Sequence, residues 1–132
     1  MGSAGLILLD THMWIWFNLA PELLPREVGN AISERNNEFC ISAMSIWETI
    51  LAAKKGRISL LLGPEESVRE WLLSSLMAVI PLDSEIAILS CTLPFEHNDP
   101  ADRFIGATAY KLGCQLATSD DRLRRLPWLN IL

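Results

Sequence analysis

The chain is poor in the residues that stage thiolate, disulfide or imidazole chemistry. Of its 132 residues only three are cysteines, Cys40, Cys91 and Cys114, widely separated and with no CxxC pair. The odd number and the apolar neighbours exclude a disulfide framework and predict buried, reduced thiols, as in a cytoplasmic protein. Two histidines, His12 and His97, with no Cys/His ligand spacing, disfavour a zinc site. No apolar stretch approaches the ~20 residues that cross a bilayer. The longest, WLLSSLMAVIPL, is interrupted by Ser74, Ser75 and Pro81. The N-terminus lacks the basic flank and cleavage pattern of a secretory signal, and Met1, Gly2 and Ser3 are set aside from the fold. Positive charge is short as well. Sixteen acidic against 11 basic residues leave a net charge of −5, which argues against a nucleic-acid partner if the charge is evenly spread.

What the chain does have is a regular alternation of short apolar runs with helical periodicity. Half of its residues are apolar, enough for one core, and residues 4–132 are expected to form a single domain. GLILLD reads as a buried strand ending in Asp10, followed by a short helix, THMWIWFNL, closed by Pro21. Pro25 opens the next helix, and EFCIS is a second strand. In SIWETILAAKKG the punctuation predicts a helix with Ser45 as N-cap, Glu48 three residues on and Gly56 as the stop. A helix from Pro64, a strand AVIPL and a helix EIAILSCTL capped by Ser84 follow. In DPADRFIGATA, Asp99 is the expected N-cap, Pro100 the first helical residue and Asp102 the third, with Gly113 ending the helix. CQLATSDD is a strand running into Asp120, DRLRRLP a helical turn and WLNIL a last strand. Strands alternating with helices imply an α/β domain with a mainly parallel central sheet, whose ligand crevice lies beyond the carboxyl ends of the strands.

The acids fall at that edge. Asp10 and Asp120 directly follow strands, while Glu48 and Asp102 lie in expected first turns. Setting these four aside leaves 12 acidic against 11 basic residues, so most of the net charge belongs to one crevice. Four convergent carboxylates repel, so they must take up protons or bind cations. Hard oxygen donors suit Mg²⁺ or Mn²⁺. Asp10, ending a buried apolar strand, is the hardest to explain otherwise, but the other three acids also have a plainer reading. Glu48 after Ser45, and Asp102 after Asp99, are equally capping acids worth about 1 kcal/mol, and Asp120 alone reads as a turn residue. Asp121 and Asp83 read as surface or capping residues.

LLDTHMWIW, ISAMSIWE, DPADRFIGATA and ATSDDRL, in that order, resemble the PIN-domain ribonucleases, and among them the VapC-type toxins of bacterial toxin–antitoxin pairs. The resemblance spans Leu6 to the C-terminus. It implies a PIN-like three-layer α/β/α domain, with Asp10, Glu48, Asp102 and Asp120 as the catalytic and metal-binding acids and Asp99 and Thr118 in support. It also implies an endoribonuclease that uses Mg²⁺ or Mn²⁺ and an activated water, leaving a 5′-phosphate and a 3′-hydroxyl. The partners it implies are RNA, an antitoxin whose basic tail enters the acidic crevice, and a second copy in a homodimer.

Lys54, Lys55, Arg57, Arg103, Arg122, Arg124 and Arg125 are candidate RNA contacts, with a solvated helix face as the plain alternative for DRLRRL. His12 reads as a packing residue rather than a ligand, and His97 as a rim or loop residue. Trp47 and Trp71 read as core, whereas Trp14 and Trp16 fall on opposite faces of their helix, so that one is free for an interface. A haloacid-dehalogenase-like phosphatase would need an acid where His12 stands. A non-catalytic PIN-like domain for Mg²⁺ or protein binding is the other alternative.

Overall fold

Alternation within the first strand decides the architecture. A computed structural model describes residues 5–96 and 98–132, so His97 and the residues set aside at the N-terminus lie outside the described residues. In β1 (Leu6–Leu9), Ile7 and Leu9 enter one apolar cluster and Leu8 another, all three buried. A strand buried on both faces needs a helical layer on each. β2 (Glu38–Ser42) and β3 (Ala78–Ile80) extend the sheet on one side of β1, and β4 (Gln115–Ala117) and β5 (Asn130–Ile131) on the other. The order is β3-β2-β1-β4-β5 and every pairing is parallel, with Leu9 opposite both Ile41 and Ala117.

One face is covered by α1 (Thr11–Leu19), α2 (Arg26–Ser33), α3 (Ala43–Lys54) and α4 (Pro64–Ser74), through Met13, Trp14, Val28, Ile50 and Val68. Trp14 is fully buried and meets Trp71 edge-on, ring centroids 5.4 Å apart. The other face is covered by α6 (Pro100–Leu112) and α7 (Asp121–Arg124), through Ile105, Ala109 and Leu123, with α5 (Ser84–Thr92) packed on α6. The three-layer α/β/α arrangement expected from the sequence is therefore present.

Local expectations fail where a tertiary neighbour decides. α3 begins three residues early, directly out of β2. Its N-cap is Ser42, which accepts the Met44 N–H at 3.0 Å, and Ser45 is buried inside the first turn. Glu48 is consequently the sixth residue of α3, too far along to be a capping acid. Asp83, not Ser84, caps α5, accepting the Ile86 N–H at 2.9 Å. Trp47, expected in the core, is 57% exposed, and Trp16 is half-buried against the core rather than free. Cys40 and Cys114 are buried as expected, but Cys91 is exposed.

Gly113 takes the left-handed conformation (φ 62°) that ends α6. Gly106, inside α6, is small for another reason, since a Cβ in its place would lie 2.6 Å from Phe95 Cε1. A helix-interior Gly→Ala change normally stabilises by about 0.5–1 kcal/mol. At Gly106 overpacking outweighs that gain, since forcing a core side chain aside costs about 1–3 kcal/mol. Urea unfolding should show Gly106→Ala destabilised and Gly29→Ala, in α2 with no described atom outside its own stretch of helix within 4 Å of the added Cβ, stabilised by a few tenths to 1 kcal/mol. Equal effects at the two positions would refute the Phe95 contact as the cause.

Candidate active site

The chain reverses its direction of travel across the sheet between β1 and β4, and the crevice opens at the carboxyl ends of these two strands. Asp10 sits on that edge. Its backbone N–H continues the β1–β4 ladder to Ala117 O at 2.9 Å, and its side chain caps α1. Oδ1 accepts the Thr11 N–H at 2.7 Å, Oδ2 accepts the Thr118 hydroxyl at 2.6 Å, and the residue is 6% exposed. Thr118 is held in turn: its Oγ1 accepts the Asp120 N–H at 3.1 Å.

The remaining acids arrive from three other segments. Glu48 comes from α3, and its Oε1 accepts the Thr11 hydroxyl at 2.5 Å. Asp99 caps α6, taking the Ala101 N–H at 3.0 Å, and Asp102 lies in the first turn of that helix. Asp120 caps α7, accepting the Arg122 N–H at 2.8 Å. Asp10, Glu48, Asp99, Asp102 and Asp120 together line a cavity of about 280 Å³, with Thr11, His12 and Ser119. Three of the five acids are helix N-caps, so backbone N–H groups face the negative charge.

Crowding shows in the protonation equilibria. Burial pushes the Asp10 carboxyl above its ordinary 3.8, against the opposing pull of its bonds from Thr118 and Thr11. Burial also raises Glu48, opposed by the Thr11 hydroxyl and reinforced by Asp10 and Asp99. Asp102 is pushed up to about 8, first by burial and then by Asp10, Asp99, Asp120 and Glu48.

The donor set fits a hard divalent ion: five carboxylates with hydroxyls beside them, no thiolate, and one exposed imidazole, His12, whose ring lies against Trp16. Among the described residues, no three His, Cys, Asp or Glu side chains are already gathered closely enough to hold an ion as they stand.

The candidate RNA contacts lie elsewhere. Arg103 donates from Nε to Ser90 O at 2.8 Å, and its guanidinium stands 5.6 Å from the Phe95 ring centre. Arg124 donates to Thr118 O at 2.8 Å, Arg125 pairs with Glu96 at 2.6 Å, and Arg122 Nε stands 4.0 Å from Asp120 Oδ1. Among the described residues none of these four arginines lines the carboxylate cavity. Lys55 and Arg57 instead line a larger neighbouring groove of about 690 Å³, with Met44, Trp47, Leu51 and Leu82. The groove shares Thr11, His12, Glu48 and Asp99 with the acidic cavity. Sequence reasoning missed Thr11 and Ser119, and read Ser45 only as a cap. For Thr11 the available signal was a hydroxyl directly after the first strand-ending acid.

A carboxyl whose pKa is higher in the folded chain than in the unfolded one holds its proton more tightly when folded. Its contribution to stability is therefore present at low pH and is lost as pH rises. For Asp102 the window runs from 3.8 to about 8. Thermal melts in chelator should show the midpoint of the starting chain falling relative to Asp102→Asn across that window, with the variant the more stable of the two at pH 8. Parallel curves would contradict the crowding of Asp102.

The chain matches the family model described as PIN domain over residues 7–129. It is 34% identical over 121 residues to Ribonuclease VapC22 of Mycobacterium tuberculosis, covering 89% of each chain. Among solved structures it superposes on VapBC2 from Rickettsia felis bound to a DNA fragment from their promoter, with TM-score 0.73 and 16% identity over 96% of this chain and 97% of that one. DNA-bound VapBC from Salmonella typhimurium gives 0.70 and 23% over 97% of each chain. FitAcB from Neisseria gonorrhoeae gives 0.65 and 24% over 96% of each. At these identities the superpositions establish the fold.

Proposed function

Because the chain belongs to the PIN-domain family, we propose that it is a divalent-metal-dependent endoribonuclease and the toxin of a toxin–antitoxin pair, with residues 4–132 acting as one domain. The observation that carries the reading is the convergence of Asp10, Glu48, Asp102 and Asp120, from four distant segments, on one cavity at the switch point of the sheet. The similarity to a relative named as a ribonuclease supports the substrate class.

In this reading Asp10, Asp102 and Asp120 hold Mg²⁺ or Mn²⁺, and Glu48 either joins them or orients the attacking water. When bound, a divalent ion supplies positive charge at the scissile phosphate and acidity for the nucleophile. The chain's own part is to fix the donors. Thr118 and the Thr11 amide set both oxygens of Asp10, and the first turn of α6 sets Asp102. Water adds at phosphorus as the bond to the 3′-oxygen breaks, which leaves a 5′-phosphate and a 3′-hydroxyl. Asp99 and Thr118 support the site without entering this step.

The larger groove supports the antitoxin assignment. Met44, Trp47, Leu51 and Leu82 offer apolar surface to a peptide, and Glu48 and Asp99 also line the groove, where a basic side chain of that peptide would find charge partners. An exposed Trp in an apolar groove is the kind of residue on which protein interfaces concentrate their binding energy. Occupied in this way, the groove and the acidic cavity are blocked together.

Purified free of any antitoxin, the chain should cut RNA into discrete fragments with Mg²⁺ or Mn²⁺ and stop when EDTA is added. Asp10→Asn and Asp102→Asn, checked for folding by circular dichroism, should each lower the rate about 10²-fold or more, as removal of preorganised charge from a catalytic centre does. Cleavage that survives chelation, or full activity in Asp10→Asn, would refute the reading. Phosphate release from small esters without RNA cutting would return the phosphatase alternative.

A further inference from the structure

Thr11 touches two acids at once. Its N–H donates to Asp10 Oδ1 at 2.7 Å, and its Oγ1 stands 2.5 Å from Glu48 Oε1 and 2.9 Å from Ser45 Oγ. Thr11 and Ser45 are both buried, and Ser45 lies one turn before Glu48 on α3, hence on the same helical face. A hydroxyl has one proton to give. A carboxylate has none, so with Glu48 ionised the Thr11 proton goes to Oε1. Ser45 must then donate to Thr11, and the chain of bonds runs in one direction, Ser45 to Thr11 to Glu48.

We propose that Thr11 and Ser45 are positioning residues, a hydroxyl relay that commits Oε1 of Glu48 and leaves Oε2 for a divalent cation in the acidic cavity. The relay also couples Glu48 to Asp10, because the same residue holds one oxygen of each. Thr11 and Ser45 are themselves buried, so the relay is built from the protein's own hydroxyls, while Glu48, which lines the cavity, presents its other oxygen there. This inference rests on the preceding reading only in taking Glu48 to serve a cation.

The test is calorimetric titration of the full-length chain with Mn²⁺ alone, without RNA. Thr11→Val keeps the shape and the N–H bond to Asp10 but removes the hydroxyl, and it should weaken Mn²⁺ binding about tenfold or more, as loss of a partner that orients a metal ligand does. Thr11→Ser should restore affinity close to that of the starting chain, and Ser45→Ala should weaken it in the same direction. Thr49, one turn beyond Ser45, buries a hydroxyl that has no hydrogen-bond partner among the described residues, so Thr49→Val should leave the affinity unchanged. Unchanged affinity in Thr11→Val, or equal weakening in Thr11→Ser, overturns the relay, since packing of the side chain would then be all that matters. Should Thr11→Val fail to fold, Ser45→Ala against Thr49→Val decides, and equal affinities in that pair overturn it. RNA cleavage is assayed separately. An intact ranking of Mn²⁺ affinities in a chain that cuts no RNA sinks the nuclease reading and leaves the relay standing, whereas a starting chain indifferent to Mn²⁺ sinks both.

Discussion

Repulsion among five carboxylates is the constraint around which this structure is arranged. Such a cluster is unstable in any fold that does not oppose it, and the opposing devices here are local and specific. Helix N-termini are aimed at the acids, so that Asp10, Asp99 and Asp120 each accept a backbone N–H at a cap. Threonine hydroxyls are placed against two more of the acids' oxygens, on Asp10 and Glu48. Crowding shows most plainly at Asp102, whose pKa is raised first by burial and then by all four other acids.

The sheet order explains why these devices reach one another. β1 is the central strand, paired on both sides, and the crevice opens where the connections leave it in opposite directions. Asp10 at the end of β1 is therefore adjacent both to the β4 end, with Thr118 and Asp120, and to the start of α3, with Ser45 and Glu48. Layers of Leu, Ile and Val hold this edge in register, while the polar groups occupy only its outer end. The apolar groove beside the cavity belongs to the same plan, since its walls come from α1, α3 and the first turn of α6, the elements that carry Thr11, Glu48 and Asp99.

Much of this was legible in the residues. Continuous apolar runs marked strands buried on both faces, and Pro, Gly and capping acids bounded most helices. Strand-ending acids in an α/β pattern pointed to one edge. The failures share a cause. At β2–α3 no turn separates strand from helix, and SAMS offers two serines in capping positions; burial of the Ser45 hydroxyl against Thr11, which lies 34 residues earlier in the chain, decides between them. That choice moved Glu48 out of a capping position and so removed its plain reading. Trp47 and Cys91 were misplaced because their helices are apolar on more than one side, so periodicity does not say which face is free. From the sequence, the arginines of DRLRRL and DPADR read as candidate RNA contacts. Several of them are engaged by carbonyls or carboxylates of the chain itself, partners that spacing along the sequence does not reveal.

The central position of β1 has a consequence for synthesis. Of the five strands it is made first, yet one of its two neighbours, β4, is made fourth, and the Thr118 that grips Asp10 lies 108 residues downstream. A contact of that span forms only after the whole intervening segment has emerged. A nascent chain that has not reached β4 thus carries Asp10 without Thr118 or Asp120, and the acidic centre is complete only once the segment through Asp120 has been made.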